Sequence, residues 1–247
     1  MHILLVNDDG IHAPGYRLLA GELAKKHQVT CVAPDGNRSA VSHGLTMRTP
    51  IFAERVEMAP GLTGWAVSGT PADCTRLGLT TFCKTPPDLV ISGPNVGFNV
   101  GHDVFYSGTV GAALEATMHG HRAVAISGHH LNDPAQVVAL FLRLLEQLDP
   151  ARDVRHLLNV NLPDLRQGAP KGILWVPQAI EHHWHDGYEG RVSPDGKRYW
   201  WISGTECPVS PEPVDDLSAV LHGYIALTPL TPDITDRAAP MGKEFSL

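Results

Sequence analysis

Residues 2–10, His2-Ile3-Leu4-Leu5-Val6-Asn7-Asp8-Asp9-Gly10, decide the fold. His2–Val6 is a short apolar run rich in Ile, Leu and Val, the pattern of a strand covered on both faces in a parallel sheet. The turn after it sets two adjacent carboxylates at that strand's carboxyl end. The same signature recurs at Val29–Ala33 (VTCVA), Asp88–Ser92 (DLVIS) and Ala123–Ser127 (AVAIS). Helical patterns lie between these runs. Tyr16–Lys26 spaces Leu18, Leu19 and Leu23 for one face, and Ala72–Phe82 follows Pro71. Thr109–His119 has helix-forming composition, and Ala135–Gln147 is amphipathic behind Pro134. Strands alternating with helices predict an α/β fold, a Rossmann-like doubly wound, mostly parallel sheet with right-handed crossovers.

The chain has 247 residues, 43% hydrophobic and 18% charged. That excludes a disordered or fibrous chain and suits one domain, 1–247, able to bury roughly 70–75% of its extended surface. Nineteen basic against 26 acidic residues leave a net charge of −7. Such a balance argues against binding nucleic-acid polymer or an anionic membrane, both of which need a basic footprint. Cys31, Cys74, Cys83 and Cys207 form no CxxC pair and read as buried small hydrophobes of a reducing compartment. No apolar run reaches the ~20 residues of a membrane span, and the N-terminus shows no signal-peptide pattern. A cytoplasmic protein is the expectation.

Past residue 150 the pattern changes. Leu157–Leu162 and Ile173–Val176 read as further strands. Tyr188–Val192 and Arg198–Ser203 flank Ser193-Pro194-Asp195-Gly196-Lys197, a hairpin signal. Tyr199, Trp200 and Trp201 load this arm, about 188–203, with rings that an isolated hairpin would leave in water. His182, His183 and His185 read as its solvated base, and Asp215-Asp216 as a helix start.

In a doubly wound sheet, ligands bind beyond the carboxyl ends of the strands near the reversal of strand order. Three polar loops fall there: Asn7–Gly10, Ala33–Ser39 and Gly93–Gly101. Asp8 and Asp9 repel each other and raise one another's pKa unless a cation neutralises them. An oxygen-only set selects a hard cation such as Mg²⁺, Mn²⁺ or Ca²⁺. The plainer reading is a turn in which one Asp caps the next helix. Asn95 and Asn99 offer neutral oxygens and N–H donors between glycines. Ser107, Gly108 and Thr109 open a helix and aim hydroxyls and unpaired N–H groups toward an anion, although ordinary capping by Ser107 explains them equally. His12, His43 and His102 lie in these loops as possible proton carriers.

Taken together, MHILLVNDDGIHAPG (1–15), APDGNRSAVSHGLT (33–46), VSGTPADC (67–74) and SGPNVGFNVGHDVFYSGTVGAALEA (92–116) resemble the SurE (survival protein E) family of metal-dependent 5′-nucleotidases and phosphatases. GKRYWWISG (196–204) and HGYIALTPLTPDIT (222–235) extend the resemblance nearly end to end. It implies that Asp8, Asp9, Ser39 and Asn95 ligate one Mg²⁺ or Mn²⁺ per subunit, with Asp8 and Asp9 catalytic. It implies that Asn99, Ser107, Gly108 and Thr109 hold phosphate. The implied substrate is a nucleoside monophosphate, with 3′-nucleotides or polyphosphate as further possibilities. The arm implies a homodimer or homotetramer.

Two enzymatic or signalling rivals fail on spacing. A receiver domain needs an acceptor Asp ending its third strand, where this chain has Ser92-Gly93. A haloacid-dehalogenase-like phosphatase needs D-x-D after strand one, where this chain has Asn7-Asp8-Asp9. A nucleotide-binding module without catalysis is the remaining alternative.

Overall fold

The computed structural model describes residues 1–180, 184–206 and 208–235. His182, His183 and Cys207 lie outside the described residues. Nine strands form one sheet in the order β3-β4-β2-β1-β5-β6-β7-β11-β8. These are β1 (His2–Val6), β2 (Gln28–Pro34), β3 (Ala53–Ala59), β4 (Leu62–Val67) and β5 (Leu89–Val96). They continue with β6 (Ala123–Gly128), β7 (Leu157–Leu162), β8 (Ile173–Trp175) and β11 (Ile225–Leu230). The pairs β4–β2, β2–β1, β1–β5, β5–β6 and β6–β7 are parallel, while β3–β4 and β7–β11 are antiparallel. The chain winds outward from β1 in one direction and from β5 in the other, so strand order reverses between β1 and β5.

Alternation along β1 divides the core. Ile3 and Leu5 face α1 (Pro14–Ala24) and α4 (Pro134–Gln147), packing with Tyr16, Leu19, Ile91 and Phe141. Leu4 and Val6 face α2 (Pro71–Leu77) and α3 (Gly108–Met118), packing with Cys74, Val90 and Val110. A strand buried on both faces must be apolar throughout, which is why HILLV reads as it does. Thr70 caps α2 in a reciprocal capping box with Asp73, and Asp133 caps α4. Of the cysteines, Cys31 and Cys74 are buried and free, Cys83 half-buried and free, and burial pushes the Cys31 thiol up to about 12.

Several expected boundaries shift. β5 continues beyond Ser92 to Val96 instead of yielding a loop at Gly93. Its register with β6 slips between Ser92 and Asn95, the irregularity that lets a proline lie within a sheet. The α-helix expected over Ala72–Phe82 stops at Leu77, and a wider π turn, Gly78–Phe82, completes it with Cys83 N–H on Gly78 O at 2.8 Å. The edge pair β3–β4 and strand β11 add to the sheet. Asp215 caps a short helix, Asp216–Leu221, as its sequence indicates.

β9 (Trp184–Val192) and β10 (Arg198–Glu206) form a separate antiparallel hairpin in which Val192 faces Arg198. Each strand runs beyond the arm read from sequence. No helix among the described residues is long and apolar enough to cross a membrane.

Candidate active site at the carboxyl edge of the sheet

The switch between β1 and β5 brings the polar loops together. Asn7 closes the turn after β1, its Nδ2 donating to Gly10 O (2.9 Å) and its Oδ1 accepting Gly10 N–H (3.2 Å). The acidic pair is therefore presented by a fixed loop. Asp8 is 3% exposed. Thr109 donates its hydroxyl proton to Asp8 Oδ1, and the Thr109 backbone N–H also turns to this carboxylate. Asp8 thus occupies the N-terminus of α3, where unpaired N–H groups favour an anion. Burial pushes the Asp8 carboxyl up to about 6; the Thr109 bond counteracts this and the neighbouring Asp9 charge adds to it. Asp9 is half-buried, also raised by burial, with Val96 N–H on Oδ2 (3.2 Å) opposing the shift. Asn37 Nδ2 donates to Asp9 Oδ1 at 3.2 Å.

Other expected site residues meet this pair in different ways. Asn95 ends β5 beside Val96, and its Nδ2 donates to Gly97 O (2.9 Å). Ser39 is exposed on a loop bound to the acids: Arg38 N–H donates to Asp8 O (2.7 Å), and Ser39 N–H to Asn37 Oδ1 (3.0 Å). Further along that loop Ala40 and Ser42 hold φ of 57° and 55°. Left-handed backbone at non-glycine residues costs about 1–2 kcal/mol each, and such strain gathers at functional loops. Ser42 is held there by its N–H on Tyr106 O (2.9 Å) and its hydroxyl on Phe105 O (2.6 Å).

Of the expected phosphate group, Gly108 lies close against Asp8. A Cβ there would lie 2.9 Å from Asp8 Cβ and 3.1 Å from Asp8 Oδ2, so only glycine leaves that side open. Ser107 caps α3, its Oγ accepting Val110 N–H (3.0 Å), which leaves its hydroxyl proton available to an anion. The Thr109 hydroxyl, expected at the phosphate, donates its proton to Asp8 Oδ1. Asn99 lies in a buried amide network. Its N–H donates to Asn161 Oδ1 (2.8 Å), its carbonyl accepts Asn159 and Asn161 Nδ2 (2.8 and 3.0 Å), and its Nδ2 donates to Ser127 Oγ (2.8 Å). His43 pairs with Glu115 at 2.7 Å. Asn37, Asn159 and Asn161 were not singled out from sequence.

The fit of a divalent cation follows from the donor set. Among the described residues no group of three or more His, Cys, Asp or Glu gathers here, so two carboxylates would be completed by neutral oxygens and water. That composition suits a hard ion such as Mg²⁺ or Mn²⁺ and disfavours zinc. Burial penalises both carboxylates, and a cation relieves that penalty.

This geometry defines the class as an α/β protein whose polar crevice lies at the topological switch point. Residues 3–186 match the family model described as Survival protein SurE. A protein named 5′-nucleotidase SurE from Synechococcus sp. (strain JA-3-3Ab) is 43% identical, covering 97% of this chain and 95% of its own. One of the same name from Thermosipho melanesiensis is 39% identical over 96% of this chain and 93% of its own. The crystal structure of the SurE protein from Aquifex aeolicus superposes with a TM-score of 0.80 at 34% identity, covering 96% of this chain and 95% of that one. The chain belongs to the SurE family.

Proposed function

We propose that this protein is a divalent-metal-dependent 5′-nucleotidase that hydrolyses nucleoside monophosphates to nucleoside and phosphate. Membership of the SurE family, with relatives named as 5′-nucleotidases, supports the enzyme class. The observation carrying the metal-dependent reading is the Asp8 carboxylate, buried against the open Gly108 turn with Asp9 beside it.

Asp8, Asp9, Ser39 and Asn95 would hold the cation, which when bound supplies a more acidic water and neutralises charge building on the phosphoryl group. Thr109 fixes the Asp8 carboxylate in one orientation. The Ser107 hydroxyl and the Gly108 N–H at the start of α3 would bind phosphate oxygens. Asp9 keeps a lone pair on each oxygen beyond the bonds from Asn37 and Val96, which lets it accept a proton from attacking water. The Asn159–Asn161–Asn99 network fixes the loop between β5 and α3. Direct attack by water requires no covalent intermediate. The arm is proposed to assemble a homodimer or homotetramer, and a cytoplasmic location accords with the free cysteines.

Phosphate release from a panel of nucleoside mono-, 3′- and polyphosphates, with Mg²⁺, Mn²⁺ or EDTA, tests this reading. Release from nucleoside monophosphates that EDTA abolishes supports it; binding without release makes the protein a nucleotide-binding module.

A further inference from the structure

The chain enters the hairpin arm from β8 and returns through the helix Asp216–Leu221, and these two roots are joined at one carboxylate. Asp216 is fully buried. Its N–H donates to Pro177 O at 3.0 Å, and its Oδ1 accepts Ala179 N–H and Leu217 N–H, both at 2.9 Å. The same carboxylate reaches out of the roots to the loop between β5 and α3. Gly101 N–H lies 3.1 Å from each of its oxygens. Gln178, on the incoming root, donates its Nε2 to Gly101 O at 2.7 Å. The N–H and the carbonyl of Gly101 are thus both held by the base of the arm.

Gly101 is suited to that grip. Its φ is 51°, left-handed backbone that glycine adopts most cheaply, and a Cβ there would lie 3.4 Å from both Ala179 Cβ and Ala179 O. Val100, Val176, Ala179, Leu217 and Val220 form a small apolar cluster around the contact. Burial raises the Asp216 carboxyl, and the bonds from Ala179, Gly101 and Leu217 oppose that shift. A buried carboxylate is costly unless such donors are aligned on it, so the charge holds Gly101 to one position.

That position carries into the site. Gly101 opens the 3₁₀ helix Gly101–Phe105, which runs directly into the Ser107 cap of α3. Tyr106 N–H and Ser107 N–H both donate to Asp103 O at 3.0 Å, so the turn moves as a unit with Ser107. Its far end is gripped by Ser42 through Phe105 O and Tyr106 O.

We propose that Asp216 is a positioning residue: together with Gln178 it anchors Gly101, and through the Gly101–Phe105 turn it aims Ser107 and Gly108 at phosphate. The proposal deepens the nucleotidase reading and rests on it for the phosphate. Asp216 acts from the roots of the arm, so residues 188–203 at its tip play no part in this.

The test uses the full chain with two independent substitutions. Asp216→Asn keeps the shape and one acceptor oxygen but removes the charge and sets an amide against Gly101 N–H. Gln178→Met keeps the length and removes the donor to Gly101 O. Three quantities are measured: binding of inorganic phosphate by calorimetry with Mg²⁺ present, amide hydrogen exchange of residues 101–107 and of β1, and KM and kcat for AMP. Each substitution is expected to weaken phosphate about tenfold and to raise KM by a similar factor, with kcat changed less. Exchange of residues 101–107 should quicken about tenfold while that of β1 stays as it was. Should Asp216→Asn fail to fold by circular dichroism, Gln178→Met alone carries the test. Phosphate affinity unchanged in a folded variant, whether or not exchange quickens, overturns the proposal, as does an unsubstituted protein that binds no phosphate. Variant-sensitive phosphate binding without any release from AMP supports the positioning role and overturns the nucleotidase reading instead.

Discussion

The carboxyl edge of the sheet and the β9–β10 hairpin place their chemistry under opposite constraints. At the edge, Asp8 is 3% exposed, and hydrogen bonds from Thr109, Asn37 and Val96 reach the acidic pair from three separate elements. In the hairpin, Trp200 and Trp201 are 59% and 61% exposed, and the two strands pair only with each other among the described residues. The edge buries charge that needs a counter-charge, whereas the arm exposes apolar rings that need cover. Both regions are therefore incomplete alone. Under the proposed function a cation and a phosphate would answer the edge, and a second copy of the chain would cover the arm. A substitution at the edge should change chemistry with little change in assembly, and a change in the arm should do the reverse.

The largest effect is expected at Asp8. Asp8→Asn keeps the shape but weakens a hard-cation ligand, and turnover of AMP should fall by about a hundredfold or more. Without metal the variant should melt at an equal or higher temperature, because a buried charge is gone. With saturating Mg²⁺ the order should reverse, since the unsubstituted protein gains more binding energy. Calorimetry and phosphate release, run side by side, read both halves. Thr109→Val comes next: freeing the carboxylate from its hydroxyl should cost about 1–3 kcal/mol in kcat/KM. The loss should appear mainly in kcat, with phosphate inhibition altered less, because Thr109 acts through Asp8. Equal losses in phosphate affinity would return Thr109 to direct phosphate contact.

A smaller effect is expected away from the crevice, at Glu115 on α3. Burial raises this carboxyl, but hydrogen bonds from His43 and Arg76 outweigh it and hold the pKa below its usual value. A depressed carboxylate stabilises the fold above its unfolded pKa, about 4.5, and that contribution disappears as pH falls through the folded value. Glu115→Gln should cost roughly 1–2 kcal/mol at pH 7, and the difference should shrink below about pH 4 in urea titrations at a series of pH values. The smallest effect on the body is expected from the arm. Replacing residues 188–203 by a short Gly-Ser turn should leave stability of the remainder within about 0.5 kcal/mol while particle mass in light scattering falls. Unchanged mass would remove the arm from assembly, and collapse of the fold would show that the two regions are not independent.

What sequence revealed follows the same division. Strands buried on both faces announce themselves as unbroken runs, so β1, β6 and β7 are legible with nearly their observed limits. The acidic pair is equally legible because position after β1 gives it meaning. Asn159 and Asn161 are hidden because they interrupt the apolar run LLNVNL without breaking it, and their partner Asn99 lies some sixty residues earlier. Local pattern carries no trace of that pairing. Gly93-Pro94 reads as the end of a strand, yet a register slip lets β5 pass through it to deliver the Val96 N–H to Asp9. Thr109 reads as a helix-start hydroxyl; only the approach of β1 shows which anion it faces. The arm is visible through its turn and rings, but its extension to Trp184 and Glu206 depends on a ladder of backbone bonds that side-chain pattern does not encode.

The proposed activity stands on a cation held by Asp8 and Asp9 at the β1–β5 switch and needed for nucleotide hydrolysis. The most direct measurement is phosphate release from AMP by the full chain after treatment with EDTA, before and after Mg²⁺ or Mn²⁺ is restored, with Asp8→Asn beside it. No release is expected in EDTA, with recovery on adding metal and little recovery in Asp8→Asn. Full release in EDTA, or equal recovery in the variant, would contradict it.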